Sequence, residues 1–152
     1  MSLDVDVTTN GVRSPLGRMT IAEVARFALR AERVRHALLS ITLMDKRAIA
    51  RLNAKHLGHR GPTDVISFGF RRAADRDPVV GDIYIAPEIA RNNARDAGVP
   101  VREEIARLVV HGTLHVLGYD HPESADRESS TMWRRQERIL RRALNGDEGR
   151  PR

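Results

Sequence analysis

The stretch "PVREEIARLVVHGTLHVLGYDH", residues 100–121, reads as one long helix followed by a sharp turn. Pro100 suits a helix start, where its missing N–H would find no partner anyway. Gly118 suits the end, because glycine readily takes the left-handed conformation of a helix stop. At ~100° per residue, Ile105, Val109, Gly112 and Val116 fall along one stripe, which should face the core. His111 and His115 lie one turn apart on a flank of that stripe, with Leu108 between the flank and the core. A helix with so apolar a stripe needs a sheet or other helices to cover it.

The rest of the chain supplies both. Leu3, Val5 and Val7 alternate with polar residues, the period-two pattern of a half-buried strand. Thr20 precedes "IAEVARFALRAERV" with Glu23 three residues on, which predicts a capping box opening an amphipathic helix. "ALLSITLM" reads as a second strand. "DKRAIARLNAKHLG" follows as a helix capped by Asp45 and ended near Gly58. "VISFGF" and "VVGDIYIA" are third and fourth strands, and "PEIARNNARDAG" is a helix between Pro87 and Gly98. A last basic helix is expected from about Glu123 to Leu144. The order βαβαββααα predicts an α+β fold: one domain over residues 1–144, a four-stranded, mostly mixed sheet and about five helices. Residues 145–152 are expected to form a tail.

With Gly118 breaking the helix, the chain can turn through Tyr119 and Asp120 and bring His121 beside the first two histidines. An i, i+4 histidine pair can present two imidazole nitrogens to one ion. Three protein ligands with no visible fourth leave a position for water, the pattern of a catalytic rather than a structural site. Zinc is the default ion for three imidazoles, although nickel, copper or iron would also accept them. A metal held in this way makes water nucleophilic near neutral pH, which points to hydrolysis.

The same spacing occurs in metzincin peptidases, but those carry a glutamate general base directly after the first histidine. Here that position is Gly112, so peptide hydrolysis lacks its proton shuttle. Glu104 lies two turns earlier on the histidine flank, about 10.5 Å along the axis, and reads as a solvated carboxylate favoured by the helix dipole. Asp120 could orient an imidazole as a hydrogen-bond acceptor or serve only the turn.

The chain has 152 residues, no cysteine, a formal charge of +6 and a pI near 10.8. Disulfides and cysteine-held zinc are therefore excluded. All but two of the 26 basic residues are arginine, the exceptions being Lys46 and Lys55. Arginine's fork of donors suits phosphate, so a polyanion such as RNA is a plausible partner. "MSLDVDVTTN" lacks the apolar core of a secretory signal, and no apolar run approaches the ~20 residues of a membrane span. A soluble, cytoplasmic protein is expected.

"HGTLHVLGYDH", residues 111–121, together with "LNAKHLGHRGPTDVISF", residues 52–68, and "GDIYIAPE", residues 81–88, resembles the YbeY family of bacterial metal-dependent endoribonucleases. The resemblance extends from Val5 to Leu140. It implies zinc on His111, His115 and His121 and single-stranded RNA as substrate. It also implies work on ribosomal RNA processing and ribosome quality control, with the ribosome or ribosome-associated proteins as partners. Arginines contacting phosphates would supply sequence-independent affinity.

One departure matters. Family members commonly carry an arginine, taken as a substrate or catalytic residue, where this chain has Leu57, after His56 in the place of an aromatic. Arg60 in the same loop is the candidate to supply that charge, with Arg71 or Arg72 after the third strand, and His59 as a neighbouring proton-transfer candidate. Thr63 and Asp64 are expected to bond the turn backbone. In the last helix, Arg134, Arg135, Arg138, Arg141 and Arg142 form either a phosphate-binding or a solvated face. Trp133 is expected to anchor the core. Two further readings stay open: a metzincin-like peptidase without its base, and a ribosome- or RNA-binding protein with a structural metal.

Overall fold

Period-two burial builds the sheet, seen in a computed structural model that describes residues 1–120 and 130–145. β1 (Ser2–Asn10) turns Leu3, Val5 and Val7 to the core and Asp4 and Asp6 to the other face. It pairs in parallel with β2 (His36–Met44), in register from Ser2↔His36 to Asn10↔Met44. The parallel connection needs a crossover, which α1 (Arg18–Ala31) provides. β2 also pairs in parallel with β4 (Val79–Ile85), and β4 pairs antiparallel with β3 (Val65–Phe70). The order is therefore β1-β2-β4-β3, a mixed sheet with β3 as an edge.

α4 (Val101–Val116) is the predicted long helix, and α1, α3 (Pro87–Ala97), α5 (Thr131–Leu144), β3 and β4 all pack against it. Ile105 and Val109 are fully buried, and Val116 nearly so, so the predicted stripe faces the sheet. Three glycines set how closely helix and sheet approach. A Cβ added at Gly112 would lie 2.8 Å from Ile83 Cγ2, one at Gly81 2.5 Å from Val116 Cγ1, and one at Gly69 2.6 Å from the Val116 carbonyl oxygen. The histidine-bearing end of α4 therefore sits almost on the backbone of β3 and β4. α2 (Lys46–Leu57) covers part of the opposite face, where Ile49, Met44, Ile66 and Ala86 make a second cluster. Asp45 caps α2 as predicted, its side chain accepting from the Ala48 N–H at 2.8 Å.

Two helix ends differ from the sequence-based expectation. α1 starts at Arg18, with Gly17 as N-cap and its carbonyl accepting from the Ile21 N–H, so Thr20 lies inside the helix and the capping box does not form. α1 also ends at Ala31 rather than running on to Val34. Arg33 turns left-handed at φ 61°, while the Arg33 N–H bonds the Arg30 carbonyl and the Val34 N–H the Leu29 carbonyl. This paired closure satisfies the last carbonyls of the helix without a glycine. For α5, Ser130 is the N-cap and accepts from the Trp133 N–H, so the described helix begins at Thr131 and not near Glu123. Of the tail expected over 145–152, Asn145 caps the far end of α5, and 146–152 lie outside the described residues.

Candidate active site

The last turn of α4 carries the two histidines to one place. The imidazole centroids of His111 and His115 are 4.6 Å apart, with ring planes at 72°. Gly118, at φ 102°, then closes the helix: its N–H bonds the His115 carbonyl and the Tyr119 N–H bonds the Leu114 carbonyl. The turn is pinned from outside as well. The Tyr119 hydroxyl donates to Glu32 at 2.7 Å, and this bond pushes the Tyr119 hydroxyl pKa above its ordinary value. Glu32 also accepts from Arg135 Nε at 2.5 Å, while Arg135 Nη2 donates to the Ala31 carbonyl. Arg135, expected on a phosphate-binding or solvated face, instead ties α5 to the end of α1. His121, the expected third ligand, lies outside the described residues, and among those described no three potential ligands converge on one point.

The residue that orients His111 was not singled out in the sequence. Gln136 of α5 is 1 % exposed, and its Oε1 lies 2.6 Å from His111 Nδ1. Its Nε2 donates to Glu137 Oε2 at 3.0 Å. A carboxylate only accepts, so this second bond fixes which end of the amide faces the imidazole. The oxygen faces His111, so Nδ1 carries the proton toward it, and in the neutral ring Nε2 is the nitrogen that can offer a lone pair. The histidine pair therefore fits a metal, with its outer nitrogen oriented as metal-ligating histidines usually are. Asp120 was the sequence candidate for an orienting acceptor; it is exposed at the turn, and the acceptor seen at Nδ1 is Gln136. The legible signal for Gln136 was a polar residue set in the apolar stripe Met132, Ile139, Leu140 of α5.

Arg107 anchors this arrangement. It meets Glu137 with two bonds, Nε to Oε2 at 2.9 Å and Nη2 to Oε1 at 3.2 Å, and also bonds Glu104 at 2.8 Å and Glu103 at 3.0 Å. Burial works against the Arg107 charge, yet the three carboxylates outweigh it and hold its pKa above the ordinary value. For Glu137, burial alone would raise the pKa, but the hydrogen bonds from Arg107 and Gln136 bring it below its ordinary value. Glu104 goes the other way, because burial exceeds what Arg107 returns. At 8 % exposure Glu104 is not the solvated carboxylate expected; α3 and α5 pack over that turn of α4 and enclose it.

Beside His111 opens a groove of about 410 Å³, lined among others by Asp64, Asn93, Leu108, Trp133 and Gln136. Thr63 and Asp64 were expected to bond the turn backbone, but their side chains bond each other and α3: the Asp64 carboxylate accepts from Asn93 Nδ2 at 3.1 Å and from Thr63 Oγ1 at 3.4 Å, while the Asp64 carbonyl accepts from the Ala86 N–H. Trp133 does not anchor the core. It lies half-buried along the groove, while Met132, Ile139 and Leu140 fill the core face of α5. Leu57, His59 and Arg60 are exposed around the end of α2, and Arg60 makes no side-chain hydrogen bond or ion pair among the described residues. Arg72 bonds the Asp75 and Asp77 carbonyls of its own loop. Gly112 is walled by Ile83, so a glutamate in the metzincin position would press its Cβ on the Ile83 side chain, which would have to shift.

A four-stranded mixed sheet under a histidine-bearing helix thus defines an α+β domain with a candidate hydrolytic site at its edge strand. The model of the family described as endoribonuclease YbeY matches residues 7–144, and this chain belongs to that family. Relatives named endoribonuclease YbeY include one from Bacillus licheniformis, 37 % identical over 93 % of this chain and 96 % of its own. Another, from Geobacter sulfurreducens, is 33 % identical over 95 % and 98 %. A third, from Frankia casuarinae, is 35 % identical over 90 % of this chain and 72 % of its own. A solution structure of a Thermotoga maritima protein shares the fold with a TM-score of 0.64, at 24 % identity over 95 % of this chain and 91 % of that one. No described helix is long and apolar enough to cross a membrane.

Proposed function

We propose that this chain is a zinc-dependent endoribonuclease that cuts single-stranded RNA during ribosomal RNA processing and ribosome quality control. On this reading it works in the cytoplasm, on or with the ribosome. The observation that carries the reading is the His111–His115 pair, held in one tautomer by Gln136, in a chain of the endoribonuclease YbeY family. His111, His115 and His121 would hold the ion through imidazole nitrogens. When bound, it supplies Lewis acidity toward a phosphodiester.

The chain's own groups do the remaining work. Gln136 keeps the proton on His111 Nδ1, and Glu137, locked by Arg107, keeps Gln136 from turning over. The glutamates around Arg107 place excess negative charge behind the imidazoles, which favours a cation in front of them. Phosphate contacts fall to exposed arginines, and Arg60, with its side chain in solvent, is the candidate for the charge missing at Leu57. Gly112, packed against the Ile83 side chain, argues against the peptidase reading, because the residue that would be its general base is absent.

The test is cleavage of a labelled single-stranded ribosomal RNA fragment by purified protein, with metal content assayed alongside. Wild type is compared with His115→Ala, with chelator and with zinc restored. Metal near one equivalent, and cleavage lost in the variant and regained on zinc add-back only by wild type, supports the proposal. A folded, metal-loaded wild type that binds RNA without cutting it, free or on ribosomes, replaces it with the binding-protein reading. Undiminished cleavage by a metal-free His115→Ala protein overturns the histidine assignment.

A further inference from the structure

We propose that the groove beside His111 is a nucleobase subsite, in which an unpaired base of the RNA stacks on Trp133. This rests on the endoribonuclease reading for its ligand, and goes beyond it by assigning a role to the groove that runs from His111 to Trp133. Trp133 and Gln136 lie three residues apart on α5, hence on one face of it. Gln136 spends that position on His111, so the indole stands one helical turn from the candidate metal centre. A base seated there would belong to a nucleotide next to the phosphate at the histidines.

The composition of the groove argues for a base and against a phosphate. Its apolar lining comes from Val65, Ala97, Val99 and Leu108 together with the half-buried indole. Every base has a π-face, so an aromatic wall accepts any of them by stacking. Besides Asn93, His111 and Gln136, the polar lining holds two carboxylates, Asp64 and Glu104, and one guanidinium, Arg107, which is already bonded to three glutamates. The lining leaves no uncommitted guanidinium to hold a phosphate, whereas a neutral base offers ring and exocyclic N–H groups that a carboxylate or the Asn93 amide oxygen can accept. The indole N–H makes no hydrogen bond among the described residues, leaving a donor for a base oxygen or ring nitrogen.

Trp133 is the only tryptophan in the chain, so its fluorescence reports on this groove alone. The full-length protein is titrated with a 2′-O-methyl RNA decamer, checked for integrity on a gel, and with a decamer of the same backbone lacking all bases. Saturable quenching by the first and none by the second is expected. Affinities for a labelled decamer are then measured by anisotropy at several salt concentrations. Trp133→Ala should weaken binding roughly 5- to 150-fold, the range for loss of one base stack. Trp133→Phe should recover most of it. The slope of log affinity against log salt should stay that of wild type, because stacking releases no counterions.

Equal quenching by the abasic decamer overturns the proposal, as does unchanged affinity in a folded Trp133→Ala protein or a salt slope that falls with the affinity. The two readings separate cleanly. Cleavage by wild type without base-dependent quenching removes the subsite alone, and base-dependent quenching without cleavage removes the nuclease reading alone.

Discussion

Replacing Gln136 by Met keeps the length and lack of branching of the side chain but removes both ends of the amide. His111 Nδ1–H then loses its acceptor at 2.6 Å, in a place where the side chain it faces is 1 % exposed and water has little access. Glu137 loses one donor but keeps both bonds from Arg107, so the anionic cluster should survive. The expected damage is therefore to the orientation and tautomer of one imidazole, not to the fold around it. Loss of such an outer partner typically lowers metal affinity 10- to 100-fold, or about 1.4 to 2.7 kcal/mol. Stability should fall by about 1 to 3 kcal/mol for the buried donor left without a partner. Zinc affinity is read by competition with a chromophoric chelator at neutral pH, and the tautomer by nitrogen-15 NMR of the metal-free protein. Wild type should show His111 protonated at Nδ1, and Gln136→Met a mixture. Gln136→Glu retains an acceptor and should retain the tautomer, while placing a second carboxylate against Glu137 and so lowering stability. A folded Gln136→Met protein with wild-type zinc affinity and an unmixed Nδ1–H tautomer would refute the argument that this amide sets the imidazole. If wild type itself takes up no zinc, the tautomer measurement still judges Gln136.

Other consequences follow from charge and from packing. The Glu137 pKa is lowered by folding, so its contribution to stability is full above its ordinary value of 4.5 and disappears as pH falls through the folded value. Glu137→Gln should thus melt below wild type at pH 7, by about 1 to 3 kcal/mol of stability, and the gap should narrow as pH falls below 4.5; a gap independent of pH would contradict this. Glu104 has the opposite sign: its pKa is raised, so the ionised carboxyl disfavours the fold once pH exceeds 4.5. The stability of Glu104→Gln relative to wild type should therefore improve between pH 4 and pH 7 in chemical denaturation, and a decline would count against the burial argument. Gly69→Ala should cost about 1 to 3 kcal/mol, since the new Cβ meets the Val116 backbone and the strand or helix must shift. As Val116 adjoins His115, the same variant should weaken zinc uptake, whereas an unchanged melting temperature would mean that helix and sheet are not packed this closely.

Local chemistry made much of this protein legible in its sequence. Strand alternation in β1, the continuous apolar run of β2, the Asp45 cap and the Gly58, Gly98 and Gly118 stops each depend on neighbours a few residues away, so pattern alone located them. The same holds for His111 and His115, which a single helical turn brings together. Where the sequence misled, the missing information was long-range. The start of α1 at Arg18 has Gly17 as N-cap and no capping side chain, and its closure through left-handed Arg33 has no glycine where a pattern would seek one. Glu104 looked solvated because nothing local reveals that α3 and α5 cover that turn of α4. Trp133 looked like core because large aromatics usually are, yet α5 spends its core face on Met132, Ile139 and Leu140 and turns the indole to the groove. Gln136, Glu137 and Arg107 lie up to 30 residues apart in the chain, and their bonds exist only once α5 docks on α4. The sequence by itself determined the elements and the two helical histidines, because those rest on backbone periodicity. Which nitrogen of His111 carries the proton was decided by tertiary structure alone, because that depends on an amide held in place from another helix.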